Sequence, residues 1–275
     1  LNKPDVRNAF DPQMIEGLTE AFRQADISDC RVVYLKGEGK SFCAGADLKW
    51  MRSMKDFSLE ENLEDSKKLF NMFYMGRKCS APIVARAQGH VMGGATGLLS
   101  IADIVVSAKT TKFAFSEVKL GLSPATISPF VLRKMKANKG RELMLTGRVF
   151  LAEEALEGCL VEKVVEDDRL DFEVSQQLEL FMALGPRAVR ETKRLLNSVS
   201  NPLFNGLEDE TAKVIAELRV GDEGQEGLSA FFRKARRNLE EKGASVNQIR
   251  SIAVANRGEV AVRIIHACKE LGIES

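Results

Sequence analysis

Neither sign of charge prevails in this chain. Forty Lys and Arg face 39 Asp and Glu over 275 residues, a net charge of +1 with the histidines neutral. Such a balance gives no overall attraction to nucleic acid or to an anionic membrane and leaves room only for local basic patches. Paired cysteines are missing as well. The five present, Cys30, Cys43, Cys79, Cys159 and Cys268, are odd in number and none stands in a CxxC pair. Neither a disulfide framework nor a zinc site is expected, and the setting is a reducing compartment, cytoplasmic in a bacterium or the mitochondrial matrix. No apolar run is long enough to span a bilayer, and no stretch reads as a signal peptide. With 44% hydrophobic residues, a chain of this length predicts a globular protein of one large domain or two small ones.

What the chain does have is a set of glycine turns. Residues 89–103 read GHVMGGATGLLSIAD and follow a β-branched run at 82–87. Strand, glycine turn and helix is the natural parse. Glycine admits φ > 0 and lets a ligand approach closely, and the free N–H groups opening a helix favour negative charge. Such a turn suits a phosphate, or the oxyanion formed when a carbonyl becomes an enolate. A second turn, GEGKSFCAGADLKWM, follows the predicted strand 31–36. Two such turns aiming one N–H each at a single oxygen would stabilise an enolate without a charged side chain. The third segment, KFAFSEVKLGLSP at 112–124, carries one carboxylate, Glu117, in an apolar setting. Burial there would raise its pKa towards neutrality and suit it to proton transfer.

Around these segments the pattern predicts an α/β chain. Asp11-Pro12 signals a helix start, with Met14, Ile15, Leu18, Ala21 and Phe22 at helical spacing. Ser58-Leu59-Glu60-Glu61 is a capping box for a helix to about residue 78. Strands are expected at 31–36, 82–88, 103–108, 113–115 and 162–165. Short helices are expected through 131–135 and at 140–146 and 151–158. Beyond 170 only helices are expected, at 170–183, 186–197, 203–218 and 226–242.

The motifs SFCAGADLKWM, GHVMGGATGLLSIAD and FAFSEVKLGLSPATIS, in this order and spacing, resemble the crotonase superfamily of enoyl-CoA hydratases and isomerases, from residue 1 to about 242. The resemblance implies a spiral of ββα units with a helical C-terminal trimerisation region. It implies an acyl-CoA thioester substrate, a homotrimer or hexamer, and no cofactor beyond the coenzyme A that the substrate carries. It places the thioester oxyanion against the backbone N–H groups of Ala46 and Gly94, with Glu117 as the catalytic carboxylate. For the rest of the substrate it implies Arg7, Ala44, Asp47, Leu48 and Gly93, together with Phe231 and Lys234 from the C-terminal helix of a neighbour. One departure stands out. Hydratases of the superfamily carry a second carboxylate just past the oxyanion turn, where this chain has Gly97. The water-handling role is then unassigned, with His90 and Ser116 the nearest candidates in sequence; Cys43 reads as a packing residue rather than a nucleophile.

The end of the chain has another character. IRSIAVANRGEVAVRIIHACKELGIES resembles the opening strand, turn and helix of biotin carboxylases, without the ATP-grasp body that would bind ATP. The expected division is a crotonase-like domain at 1–243, its first strand missing, and a truncated carboxylase-like piece at 244–275. A hydratase joined to a biotin carboxylase makes sense if the two act consecutively. The motifs resemble the methylglutaconyl-CoA hydratase group, which implies hydration of 3-methylglutaconyl-CoA in leucine breakdown and carboxylase subunits as partners. Lys49, Arg52 and Lys119 are then candidates to meet the free carboxylate of the substrate. The rivals are an enoyl-CoA isomerase, which needs only one carboxylate, an isohexenylglutaconyl-CoA hydratase, and a non-catalytic CoA-binding partner of the carboxylase. No membrane or nucleic-acid partner is expected.

Overall fold

The first helix starts where local chemistry predicts. Asp11 accepts the Met14 N–H at 2.8 Å, with Pro12 in the first helical position. In the computed structural model, which describes residues 1–199 and 207–233, this helix, α1 (Pro12–Ile27), leads to β1 (Val33–Lys36) and α2 (Leu48–Ser53). The next helix, α3 (Leu59–Lys78), opens on the predicted reciprocal cap. Glu61 N–H donates to Ser58 Oγ at 3.2 Å, and Ser58 N–H to Glu61 Oε2 at 2.7 Å. There follow β2 (Ile83–Ala87), β3 (His90–Met92), α4 (Gly94–Ile101), β4 (Ile104–Ala108) and β5 (Lys112–Ala114). Then come α5 (Ser128–Lys134), α6 (Ala137–Thr146), β6 (Phe150–Leu151), α7 (Ala152–Glu157) and β7 (Lys163–Val165). The remaining elements are helices: α8 (Leu170–Ala183), α9 (Pro186–Val199), α10 (Leu207–Val220) and α11 (Asp222–Arg233).

The strands form two sheets. One has the order β1-β2-β4-β7 and is wholly parallel; the other has the order β3-β5-β6, with β6 antiparallel. A unit recurs along the chain: a strand in the first sheet, a short one in the second, then a helix. β2-β3-α4 and β4-β5-α5 are two such units. Before them, β1 is followed by a single bridge from Cys43 to Val91 and then by α2. Because Val91 also pairs with Phe113, residues Cys43, Val91 and Phe113 make one row across three successive units. Parallel neighbours of this kind require helical crossovers, which explains the alternation.

The second sheet corrects the expected strand–turn–helix parse of residues 82–103. Gly89, at φ +64°, swings the chain from β2 into β3, and a Cβ there would lie 1.9 Å from the Lys40 carbonyl oxygen. The expected strand at 113–115 ends at Ala114, and Glu117 opens a 3-10 helix, Glu117–Leu120. The expected helix at 151–158 yields its first residue to β6, which is too short to show a period. Among the last helices, α10 begins at Leu207 and α11 at Asp222, and residues 234–275 lie outside the described ones.

At the centre is α4, whose Ala95, Leu98, Leu99 and Ile101 are fully buried. A helix apolar on all sides has to be surrounded. The Phe10, Phe22, Phe73, Phe113, Phe130 and Phe150 side chains fill the space around it. Helix α9 is fastened by polar contacts instead. Lys193 Nζ reaches Asp103 Oδ2 at 2.6 Å and the Ala81 carbonyl at 2.9 Å. The Arg190 guanidinium donates to the carbonyls of Ala25, Asp26, Ser28 and Cys30, closing the end of α1. Residues Leu1–Leu228 form one compact unit; the second, Ser229–Ser275, lies almost wholly outside the described residues. Among the described residues no helix is long and apolar enough to cross a membrane.

Candidate active site

The three glycine-bearing segments meet through the Cys43–Val91–Phe113 row. Ala46 stands three residues past Cys43, Gly94 three past Val91, and Glu117 four past Phe113. The first two turns are joined directly. Met92 N–H donates to the Cys43 carbonyl at 3.1 Å, and a Cβ on Gly45 (φ +94°) would stand 3.0 Å from the Met92 carbonyl oxygen. Phe10 lies between them. Its N–H donates to the Gly45 carbonyl at 2.7 Å, its carbonyl accepts from Asp47 N–H at 2.7 Å, and its ring covers Gly94. Neither the Ala46 nor the Gly94 N–H donates a hydrogen bond among the described residues. Gly94 is the first residue of α4, where helical N–H groups have no intrahelical acceptor. Gly93 is held by a 2.9 Å bond to the Ala114 carbonyl, at φ 53° and ψ −125°.

Glu117 closes over this turn. Its Oε1 would stand 3.3 Å from a Cβ on Gly93, so any other residue would push the carboxylate aside, and the positive φ favours glycine there as well. The residue is half-buried, yet Oε2 is sealed from solvent without a hydrogen-bond partner among the described residues. Burial pushes the carboxyl up from 4.5 to about 7, opposed only by a bond to its own backbone. A carboxyl poised near neutrality can both take and return a proton.

The position of the absent second carboxylate is filled. A Cβ on Gly97 would stand 2.7 Å from Ile127 Cγ2 and 2.9 Å from the Phe73 ring. Both side chains are buried. Phe73 was legible only as one apolar position of α3; nothing in the linear spacing points it at Gly97. His90 does not join Glu117 through any described bond. Its Nδ1 lies 3.3 Å from Ser41 Oγ, and burial first, then nearby Arg7 and Lys112, lowers its pKa. Ser116 precedes Glu117 and is half-buried. Cys43 is fully buried and its thiol is pushed up to about 12 by burial, which excludes a thiolate nucleophile near neutrality.

The residues expected around the rest of the substrate are spread along the first turn. Arg7 is exposed, and its carbonyl accepts the Ala44 N–H at 3.0 Å. The buried Asn8 beside it donates to the Glu38 and Ser41 carbonyls and so fixes the loop. Asp47 caps α2 by accepting from Lys49 and Trp50 N–H, and Leu48 is more than half exposed. Lys49 and Arg52 are exposed on α2, and Lys119 is exposed on the 3-10 helix of Glu117. The Phe231 side chain and Lys234 lie outside the described residues. One arrangement lay beyond sequence reasoning. The start of α11 packs on the Glu117 segment of its own chain, with a Cβ on Gly227 only 2.2 Å from the Leu120 carbonyl oxygen.

Two amides that donate no hydrogen bond among the described residues, with the Glu117 carboxyl packed on Gly93 beside one of them, suit enolate chemistry. Residues 1–242 match the family described as Enoyl-CoA hydratase/isomerase. The chain belongs to the enoyl-CoA hydratase/isomerase family. Residues 248–275 match the N-terminal domain of biotin carboxylase, over the stretch where that resemblance was read. Among curated family members, the enoyl-CoA hydratase AFT6-1 of Alternaria alternata is 33% identical over 87% of this chain and 78% of its own length. A crystal structure of an enoyl-CoA hydratase from Shewanella pealeana is 37% identical, with a TM-score of 0.70 over 86% of this chain and 89% of that one. One from Mycobacterium avium reaches a TM-score of 0.77 at 31% identity, over 87% and 91%. The α/β fold with its ββα units is thus the crotonase fold.

Proposed function

We propose that the chain hydrates an enoyl-CoA thioester, with Ala46 and Gly94 N–H holding the thioester oxygen and Glu117 moving the proton. The observation that carries this reading is the Glu117 carboxyl, packed on Gly93 with Oε2 sealed and unpartnered among the described residues. As the α–β double bond takes up water, negative charge gathers on the thioester oxygen and is met by the two N–H groups. With glycine at position 97, Glu117 does both tasks. It accepts a proton from water as the oxygen bonds to the β-carbon, then gives that proton to the α-carbon, ending in its starting state. The carboxylase-like stretch at 248–275 supports 3-methylglutaconyl-CoA as substrate and 3-hydroxy-3-methylglutaryl-CoA as product, since a biotin-dependent carboxylation leaves a free carboxylate. Lys49, Arg52 and Lys119, which lie near the turns in sequence, are the candidates to meet it.

A second reading has an observation of its own. Phe73 and Ile127 occupy the space where a water-handling carboxylate would hang. This favours an isomerase that takes a proton from one carbon and returns it to another through Glu117 alone. Incubation with 3-methylglutaconyl-CoA and crotonyl-CoA in oxygen-18 water separates the two. Label in the β-hydroxyl of the product supports hydration. Double-bond migration in a panel of enoyl-CoA esters, with no label taken up, overturns it in favour of isomerisation.

A further inference from the structure

The segment that carries Glu117 is gripped from two sides. It is a single 3-10 turn, Glu117–Leu120, ended by Gly121 at φ 71°. Four residues cannot hold a carboxyl in place by themselves. On one side lies Gly147, at φ +59°, where a Cβ would meet Val118 Cγ2 at 2.7 Å and the Phe115 carbonyl oxygen at 3.2 Å. On the other side lies the start of α11. A Cβ on Gly227 would stand 2.2 Å from the Leu120 carbonyl oxygen, 2.6 Å from the Leu120 carbonyl carbon and 3.2 Å from the Gly121 nitrogen. This is contact of backbone on backbone, which any side chain at 227 would prevent. Gly224 one turn earlier packs near Leu122, and Leu228 is buried. The corner leading into α11 is itself pinned. Arg219 at the end of α10 reaches Asp65 Oδ2 and Ser66 Oγ on α3, both at 3.3 Å, and its carbonyl accepts the Gln225 side chain at 2.7 Å.

We propose that Gly227 is a positioning residue: through it α11 presses on the Leu120–Gly121 peptide of its own chain and holds Glu117 over the Gly93 turn, so that each chain completes its own acid. This rests on Glu117 being the proton-transfer group. It differs from the expectation that the C-terminal helix serves a neighbour, because the contact made at Gly227 is within one chain.

The test uses the full chain. Gly227→Leu is assayed with an enoyl thioester of N-acetylcysteamine, which lacks the nucleotide and most of the pantetheine, so that any contact of α11 with coenzyme A drops out. A displacement of about 1 Å in a catalytic group costs on the order of 10²-fold in turnover, and a fall of that size in kcat with KM little changed is expected. Gly227→Ala, a smaller intrusion, should lower kcat in the same sense and is the variant to read where Leu prevents folding. A folded variant of either kind with unchanged kcat overturns the proposal. Co-assembly of Glu117→Gln chains with Gly227→Leu chains tests the same-chain arrangement. Activity no greater than the sum of the parts supports it, and restored activity overturns it in favour of a helix lent by a neighbour. Failure of the underlying reading is distinct: Glu117→Gln alone would then keep its turnover.

Discussion

Burying a carboxyl without a partner costs free energy, and at Glu117 that cost depends on pH. Its native pKa of about 7 lies above the unfolded value of 4.5. Between those values the native state holds a proton that the unfolded chain has released. Stability therefore falls as pH rises from 4.5 towards 7 and stays low above it. Glu117→Gln removes the cost. By linkage, the variant should gain on the order of 3 kcal/mol over the parent at pH 8 and nothing near pH 4, as read from urea unfolding at the two pH values. The same variant should lose at least the ~10²–10⁴-fold in kcat typical of one general acid–base group. With no partner carboxylate at Gly97, the upper end is expected. Its affinity for an acyl-CoA analogue should hold, because the backbone N–H groups of Ala46 and Gly94 are untouched. A folded variant keeping more than about a tenth of parental turnover would place the proton-transfer group elsewhere.

At the scale of elements, α4 decides what can be restored. Replacing Gly97 by Glu would supply the second carboxylate that the crotonase resemblance implies, and sequence alone suggests a gain in hydration. The structure changes that expectation, since the new Cβ collides with Ile127 and Phe73. Overpacking of this kind costs roughly 1–3 kcal/mol, so Gly97→Glu alone should lower the melting temperature and add no hydration of crotonyl-CoA. Combined with Phe73→Ala and Ile127→Ala, which remove both collisions, it should hydrate crotonyl-CoA faster than that double variant alone; equal rates would show that the missing carboxylate is not limiting. Helix α9 offers a cleaner measure of packing. Lys193 is buried, while its partner Asp103 is a quarter exposed and also accepts the Ile83 N–H. Lys193→Met should destabilise by roughly 1–3 kcal/mol, measured as a shift of the urea midpoint at unchanged slope.

Local chemistry made some elements legible and not others. Asp11-Pro12 and Ser58–Glu61 announced α1 and α3 because a cap is decided within four residues. The three glycine segments and Glu117 were legible for the same reason. Their convergence was not, because it is set by the pairing of Cys43, Val91 and Phe113, residues far apart in sequence. β3 hid inside an apparent turn, since the bend at Gly89 is imposed by Lys40. Gly227 read only as a helix position; its reason is the Leu120 carbonyl, which no spacing in the chain announces.

For the whole molecule, the apolar surface points to association. Leu180, Met182, Leu184, Leu195 and Leu196 are each at least half exposed on and between α8 and α9. On α10, Ile215 is buried within the chain and Val214 is exposed. So much apolar surface on neighbouring helices is unusual for a monomer. Light scattering at micromolar concentration should give a trimer or a hexamer; a lone species of 30.4 kDa would refute this.

The row from Cys43 through Val91 to Phe113 also limits how far the chain can change length beside the site. A residue gained between the row and Ala46, Gly94 or Glu117 would carry its N–H or carboxyl out of line. The stretches that enter the row are tied as well: Asn8 and Gln88 hold the loop 37–42, and Thr111 donates to the Ala87 carbonyl. The architecture thus leaves three short spacers that keep time for the site.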